Sequence, residues 1–261
     1  MGCKEKYCGN LSGNQQSPVV TTGASGFVKA TLKGHTLTVS GRFRDLSSPL
    51  FPVGQLGAAH IHGPALPGGN AGVLFQLTVI PGPGDLSGKF EACQNRFTLT
   101  DEQVQFLRDG LLYVNIHTQT WQSGEIRAQL LPKEGDCCKQ YVTTLSGLNE
   151  VPPVTSTTAT GTIVASLNCR TLTLSGSFSG LSSAFQAAHI HLGAVGVNGP
   201  VIYPLNVVTL LPNTAGNLLR ANNSFTLTKD QLAALKAGGL YINVHSSNFP
   251  GGEIRSQILR L

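Results

Sequence analysis

Charge is scarce in this chain. Only 12% of its 261 residues are Asp, Glu, Lys or Arg, against about a quarter in an ordinary soluble domain. Disorder generally needs high charge and little apolar content, and the 41% of apolar residues excludes it. Basic runs are missing as well. The net charge is +5, but Lys and Arg are scattered, without the stripe and interleaved aromatics of a nucleic-acid binder. Nucleic acid is therefore not an expected partner, and the diffuse excess reads as solubility. No apolar run reaches the ~18 residues that span a bilayer. The first residues, Met1-Gly2-Cys3-Lys4-Glu5, lack the apolar core of a signal peptide, so the chain is either cytosolic or begins after a removed signal. Lys6 stands where myristoylation requires Ser or Thr, which argues against a lipidated N-terminus.

Catalytic motifs are absent too. There is no G-x-S-x-G elbow, no phosphate-binding G-x-x-x-x-G-K-[ST] and no H-E-x-x-H. The six cysteines are Cys3, Cys8, Cys93, Cys137, Cys138 and Cys169, and none forms a C-x-x-C zinc pair. Their even number suits disulfides, and disulfides favour a secreted protein. Cys169, in a turn after the second strand of its domain, is expected to bond Cys137 or Cys138. Sequons place candidate glycosylation at Asn10 and Asn222.

What is abundant points to strands. The 31 glycines and 14 prolines imply many turns, and Thr, Ser and Val fill the segments between them. Those segments occur twice. Ala58-Ala-His-Ile-His62 matches Ala187-Ala-His-Ile-His191. Leu112-Tyr-Val-Asn-Ile-His117 matches Leu240-Tyr-Ile-Asn-Val-His245, and Gly124-Glu-Ile-Arg127 matches Gly252-Glu-Ile-Arg255. Two long copies mean a duplicated domain rather than a solenoid. The expected domains are 1–133 and 134–261, each an all-β sandwich of alternating strands. Thr100-Asp-Glu-Gln103 and Thr228-Lys-Asp-Gln231 are capping boxes, so each domain should hold one short helix, ending at Gly110 or Gly238.

Six of the seven histidines lie in the repeated motifs. Residues two apart on a strand share a face, so His60 and His62 should project together, with Ile61 turned away. The same alternation groups Tyr113, Asn115 and His117, and then Glu125, Arg127 and Gln129 on the next strand. A hairpin between these two strands would bring His117 close to Glu125. Three imidazoles from two strands can ligate copper or zinc. The same imidazoles, with Glu125 and Arg127 (Glu253 and Arg255 in the second copy), can instead close a polar network without metal. Glu125 and Glu253 are the only repeated carboxylates, so a two-carboxylate hydrolase lacks its partner. Trp121 is either an exposed contact residue or a loop ring resting on the sandwich.

These motifs together, Ala-Ala-His-Ile-His, Leu-Tyr-Val-Asn-Ile-His and Gly-Glu-Ile-Arg-x-Gln-Leu, resemble the CHRD domain, the module named after chordin. The resemblance covers nearly the whole chain. It implies an immunoglobulin-like sandwich with likeness to copper-zinc superoxide dismutases, in an extracellular and non-enzymatic setting. On that likeness His60, His62 and His117 take copper-ligand places, as do His189, His191 and His245. The bridging histidine and zinc ligands have no counterpart, so dismutase activity is not implied. The expected protein is thus a secreted structural or interaction module, with an extracellular protein or a second copy as partner. Self-association is expected through the N-terminal segment, where Cys3 aligns with Cys137, producing an oligomer or filament.

Overall fold

The computed structural model describes residues 4–52, 54–133 and 140–260. The chain divides into two compact units, the first running to Cys138 and the second from Lys139, residues 66–68 apart. In the first unit β1 (Lys4–Ser12), β2 (Ser25–Lys33) and β3 (Thr36–Arg44) form a meander. There follow β4 (Ala59–His62), β5 (Val73–Gln76), β6 (Ile80–Pro81), β7 (Gly88–Phe90) and β8 (Arg96–Thr98). Helix α1 (Asp101–Arg108) precedes β9 (Tyr113–Ile116), β10 (Ile126–Gln129) and β11 (Leu131–Pro132).

All these strands belong to one sheet of order β5-β4-β9-β10-β1-β2-β3-β7-β6, with β11 also on β1 and β8 also on β3. The sheet curls so that its two arms enclose one core. Ile61, Val114, Ile116 and Ile126 from one arm meet Val28, Leu37, Val39 and Phe43 from the other. Each such side chain contributes about 1.5–3 kcal/mol through burial. Alternation explains the arrangement: the residues between these point outward, and on β4, β9 and β10 they are polar.

The second unit repeats the pattern. Its strands are β12 (Gln140–Ser146), β13 (Thr160–Asn168), β14 (Thr171–Ser179), β15 (Phe185–Leu192), β16 (Val201–Pro204) and β17 (Val208–Leu210). They continue with β18 (Ala215–Leu218), β19 (Ser224–Thr226), α2 (Lys229–Lys236), β20 (Leu240–Ser246), β21 (Ile254–Gln257) and β22 (Leu259–Arg260). The strand order β16-β15-β20-β21-β12-β13-β14-β18-β17 is the first unit's order over again.

Both helices begin as their capping boxes require. Thr100 accepts from the Gln103 amide while the Gln103 side chain accepts from the Thr100 amide, and Thr228 and Gln231 do the same. Gly110 and Gly238 follow with φ of 72°, a left-handed backbone that suits glycine.

The expected disulfide at Cys169 is not formed. Cys169 carries a free, exposed thiol at the tip of the tight β13–β14 turn, in a left-handed conformation with φ 50°. A hairpin tip directs its side chain to solvent rather than across the sheet. Cys93 is also free and exposed, whereas Cys8 is buried and disulfide-bonded. Cys3, Cys137 and Cys138 lie outside the described residues, whereas Lys4, Glu5 and Lys6 of the N-terminal segment expected to drive self-association belong to β1 and pair with β2 inside the first unit's sheet.

Candidate metal centre

The repeated histidines reach the outer face of each sheet because their apolar neighbours occupy the core. Ile61 is fully buried in the core, so His60 and His62 turn the other way. Val114 and Ile116 do the same for Tyr113, Asn115 and His117. Register then sets His62 opposite Tyr113 and His60 opposite Asn115, whose next neighbour on the same face is His117. The outer face is nevertheless shielded from solvent. His60 is 0% exposed, His62 8% and His117 5%, because the chain after β4 folds back across them. Gln129 anchors that segment by donating to the Ala65 carbonyl at 2.8 Å, and Arg127 by donating to the Gly69 carbonyl at 2.7 Å.

Backbone carbonyls decide which imidazole nitrogens are bare. A carbonyl only accepts, so a ring nitrogen bonded to one must carry the proton. His62 Nδ1 donates to the Ala71 carbonyl at 3.0 Å, and His117 Nδ1 to the Gln122 carbonyl at 2.9 Å. Both Nε2 atoms are therefore lone pairs. His60 Nδ1 lies 3.1 Å from His117 Nε2 and supplies the proton there. His62 Nε2 is buried with no hydrogen-bond partner.

The second module reproduces each contact. His189 Nδ1 lies 3.1 Å from His245 Nε2. His191 Nδ1 donates to Gly199 at 2.9 Å and His245 Nδ1 to Pro250 at 3.0 Å. His191 Nε2 is again buried and unpartnered. In each triad one ligand atom per histidine lies within 4.8 Å of the others.

Burial favours the neutral form of five of these rings. It pushes His117 down to about 4, against the opposing effect of the Gln122 hydrogen bond, with the nearby His60 and His62 adding a little. His62, His189, His191 and His245 are lowered as well, burial being the largest cause in each case. A neutral imidazole is the form that ligates a metal.

The expected polar partners are close, but they serve other purposes. Arg127 lies 3.5 Å over the Tyr113 ring, and Tyr113 stacks on His62 at 5.0 Å and 9°. Strand order places Tyr113 between the guanidinium and the imidazole, so the cation is set back from the three histidines. Arg255, Tyr241 and His191 form the same column. Alternation puts these tyrosines on the face of His117 and His245, but sequence alone gives them no role in the site. The carbonyls of Ala71 and Gln122 left no sequence signal at all.

Glu125 departs from expectation. Although its backbone pairs beside His117, its carboxylate accepts from Thr22 Oγ1 at 2.6 Å, Ser47 N at 2.9 Å and Thr118 Oγ1 at 2.9 Å. It lies just outside the paired part of β10, after Gly124 with φ 124°, and there the backbone turns it away from the imidazoles. Glu253 is held likewise by Thr157, Ser182 and Ser246. These carboxylates tie loops to the sheet. Of the sequon residues, Asn222 is exposed and Asn10 half-buried within β1. Trp121 is half-buried in the β9–β10 turn.

A duplicated all-β module, with three clustered histidines beneath a folded-back segment, is the class of protein these features define. Residues 9–130 and again 141–258 match the CHRD domain, and the chain belongs to that family as a tandem CHRD-domain protein. No curated protein matches it. CHRD domains occur in extracellular proteins, and two of them in tandem support at most an extracellular-type interaction module. Among the described residues no helix is long and apolar enough to cross a membrane.

Proposed function

We propose that each module binds one copper or zinc ion, through His60, His62 and His117 in the first and His189, His191 and His245 in the second. The observation that carries this reading is the unpartnered, buried Nε2 of His62, repeated at His191. A buried acceptor without a partner costs about 1–3 kcal/mol, and a purely structural network would not leave one in the same place twice. A cation would use that lone pair together with His117 Nε2 and, after its proton moves to the other ring nitrogen, His60 Nδ1. Neutral imidazoles suit copper and zinc. The ion would brace the segment over the sheet, since His62 also holds Ala71.

The protein is read as a secreted structural or interaction component, with metal as a stabiliser rather than a reaction centre. An extracellular protein or a second copy of the chain is the partner this role calls for. The test is elemental analysis of the full chain after incubation with copper or zinc and desalting. About two ions per chain are expected, about one for His62→Ala or His191→Ala, and none for the double variant. A folded wild-type chain that retains neither metal refutes the proposal.

A further inference from the structure

A different face of the first module is built for an anion. β1, β2, β3 and β8 lie side by side, and residues directly opposite each other across strands project to one side. Lys4 stands opposite Lys33 and Lys6 opposite Thr31. Phe27 faces Arg42, Thr31 faces Thr38 and Lys33 faces Thr36, while Thr38 faces Arg96. Lys29 joins them, two residues from both Phe27 and Thr31. The intervening Val28, Ala30 and Leu32 fill the core, so this is the sheet's outer side.

Lys4, Lys6, Lys29, Lys33, Arg42 and Arg96 are all exposed. None of them pairs with a carboxylate among the described residues. Three of them, Lys4, Lys33 and Arg96, line a cavity of about 350 Å³ together with Thr31, Thr36 and Thr38.

The second module is an internal control. It has the same strands in the same register, with Gln140 opposite Ser166, Thr162 opposite Ser177, Asn168 opposite Thr171 and Thr173 opposite Ser224. Gln140, Val164, Asn168, Ser177 and Ser224 there replace Lys6, Lys29, Lys33, Arg42 and Arg96. Gln140 and Val164 are buried there, but Asn168, Ser177 and Ser224 are not, so strand pairing needs no cation at the places of Lys33, Arg42 and Arg96, and like charges on neighbouring strands repel. Such a cluster makes physical sense when an anionic ligand neutralises it.

We infer that this face binds a sulfated polysaccharide chain. Cations recur along and across the strands at a few ångströms, which suits a polymer carrying an anion on every sugar, and the threonines match its hydroxyls. The one aromatic ring among the outward residues described on these strands, Phe27, already lies under Lys29 at 5.3 Å and Arg42 at 5.0 Å. No ring is left to stack bases, as single-stranded nucleic acid would require. The exposed large apolar residues of this module, Val19, Val73 and Leu86, lie off these strands, so nothing on the face would insert into a membrane.

The test is binding of the full chain to heparin fragments at increasing salt, alongside the variant Lys33→Asn/Arg42→Ser/Arg96→Ser. These substitutions install the second module's own residues, and circular dichroism checks that the fold is kept. Log affinity should fall with log salt, and the variant should lose about half of that slope with three of the six cations gone. Desulfated heparin should not bind. An unchanged slope in the variant overturns the inference. So does tighter binding of duplex DNA or phosphatidylserine vesicles than of heparin through the same three residues.

Discussion

Replacing Glu150 by Gln should stabilise the second module at pH 8 and leave it nearly unchanged at pH 4. In the first module Gln16 donates from Nε2 to Asn115 Oδ1 at 2.7 Å, both groups being buried. Glu150 occupies the equivalent place, its amide donating to Gly147 as that of Gln16 does to Gly13. A carboxylate has no hydrogen to give. Asn243 Nδ2 stands 3.4 Å from Glu150 Oε2, while Glu150 Oε1 and Asn243 Oδ1 are buried without partners. Burial pushes the Glu150 carboxyl up to about 7 from its ordinary 4.5, with the charge of Arg255 opposing that rise. Because the folded value lies above the unfolded one, ionisation penalises folding. The penalty is absent below about pH 4.5, grows between 4.5 and 7, and is complete above 7. A difference of about 2.5 units at 1.36 kcal/mol each sets an upper limit of about 3 kcal/mol.

Gln cannot ionise and can donate, so Glu150→Gln recovers up to that amount at pH 8. At pH 4 the protonated carboxyl already donates, and little is gained. For a domain of this size about 1 kcal/mol moves Tm by roughly 4 °C, so the rise at pH 8 should approach 10 °C. Near-ultraviolet circular dichroism on heating measures the shift, and amide exchange in β12 and β20 assigns it to the second module. An equal shift at both pH values, or a loss at pH 8, would refute the reasoning.

Two further outcomes follow from the loop anchors. Glu125→Ala strands the Thr22 and Thr118 hydroxyls and the Ser47 amide, and should cost about 3 kcal/mol or more in urea unfolding; a loss under 1 kcal/mol would contradict the assigned anchoring. Its counterpart Glu253 adds an acid limb: burial alone would raise its carboxyl, yet hydrogen bonds from Ser246, Thr157 and Ser182 hold it below 4.5. That contribution is full above pH 4.5 and is lost as pH falls through the folded value, measurable as acid destabilisation missing from Glu253→Gln. Gly124→Ala should destabilise the first module by about 2 kcal/mol or more. A methyl there would lie 2.2 Å from Asn115 Oδ1 on a backbone with φ 124°; unchanged thermal stability would show that the turn relaxes freely.

The duplicated fold was legible because its determinants are local and periodic. A period of two separates Ile61 from His60 and His62, and Val114 and Ile116 from Tyr113 and His117, whatever the strands pair with. Thr100 and Gln103 satisfy helix amides within a single turn. The same alternation set the face of each histidine, and the pairing of β4 with β9 then brought His60 and His62 to His117. The expected disulfide failed because it required a partner across the sheet, whereas hairpin geometry sends Cys169 to solvent.

By itself, then, the sequence determined the module, its duplication, its helix caps and the face on which each histidine sits, all properties of residues within a few positions of one another. Only the tertiary structure decided what those faces become. It brought the Ala71 and Gln122 carbonyls to the imidazoles, leaving the His62 lone pair buried and unmet. It also turned the Glu125 carboxylate away to three loop donors. And it gathered Lys4, Lys6, Lys29, Lys33, Arg42 and Arg96, scattered along the chain, onto one side of four strands. Hydrogen bonds and Coulomb forces act over a few ångströms of space, so residues far apart in sequence can only form a site once strand pairing has set those distances.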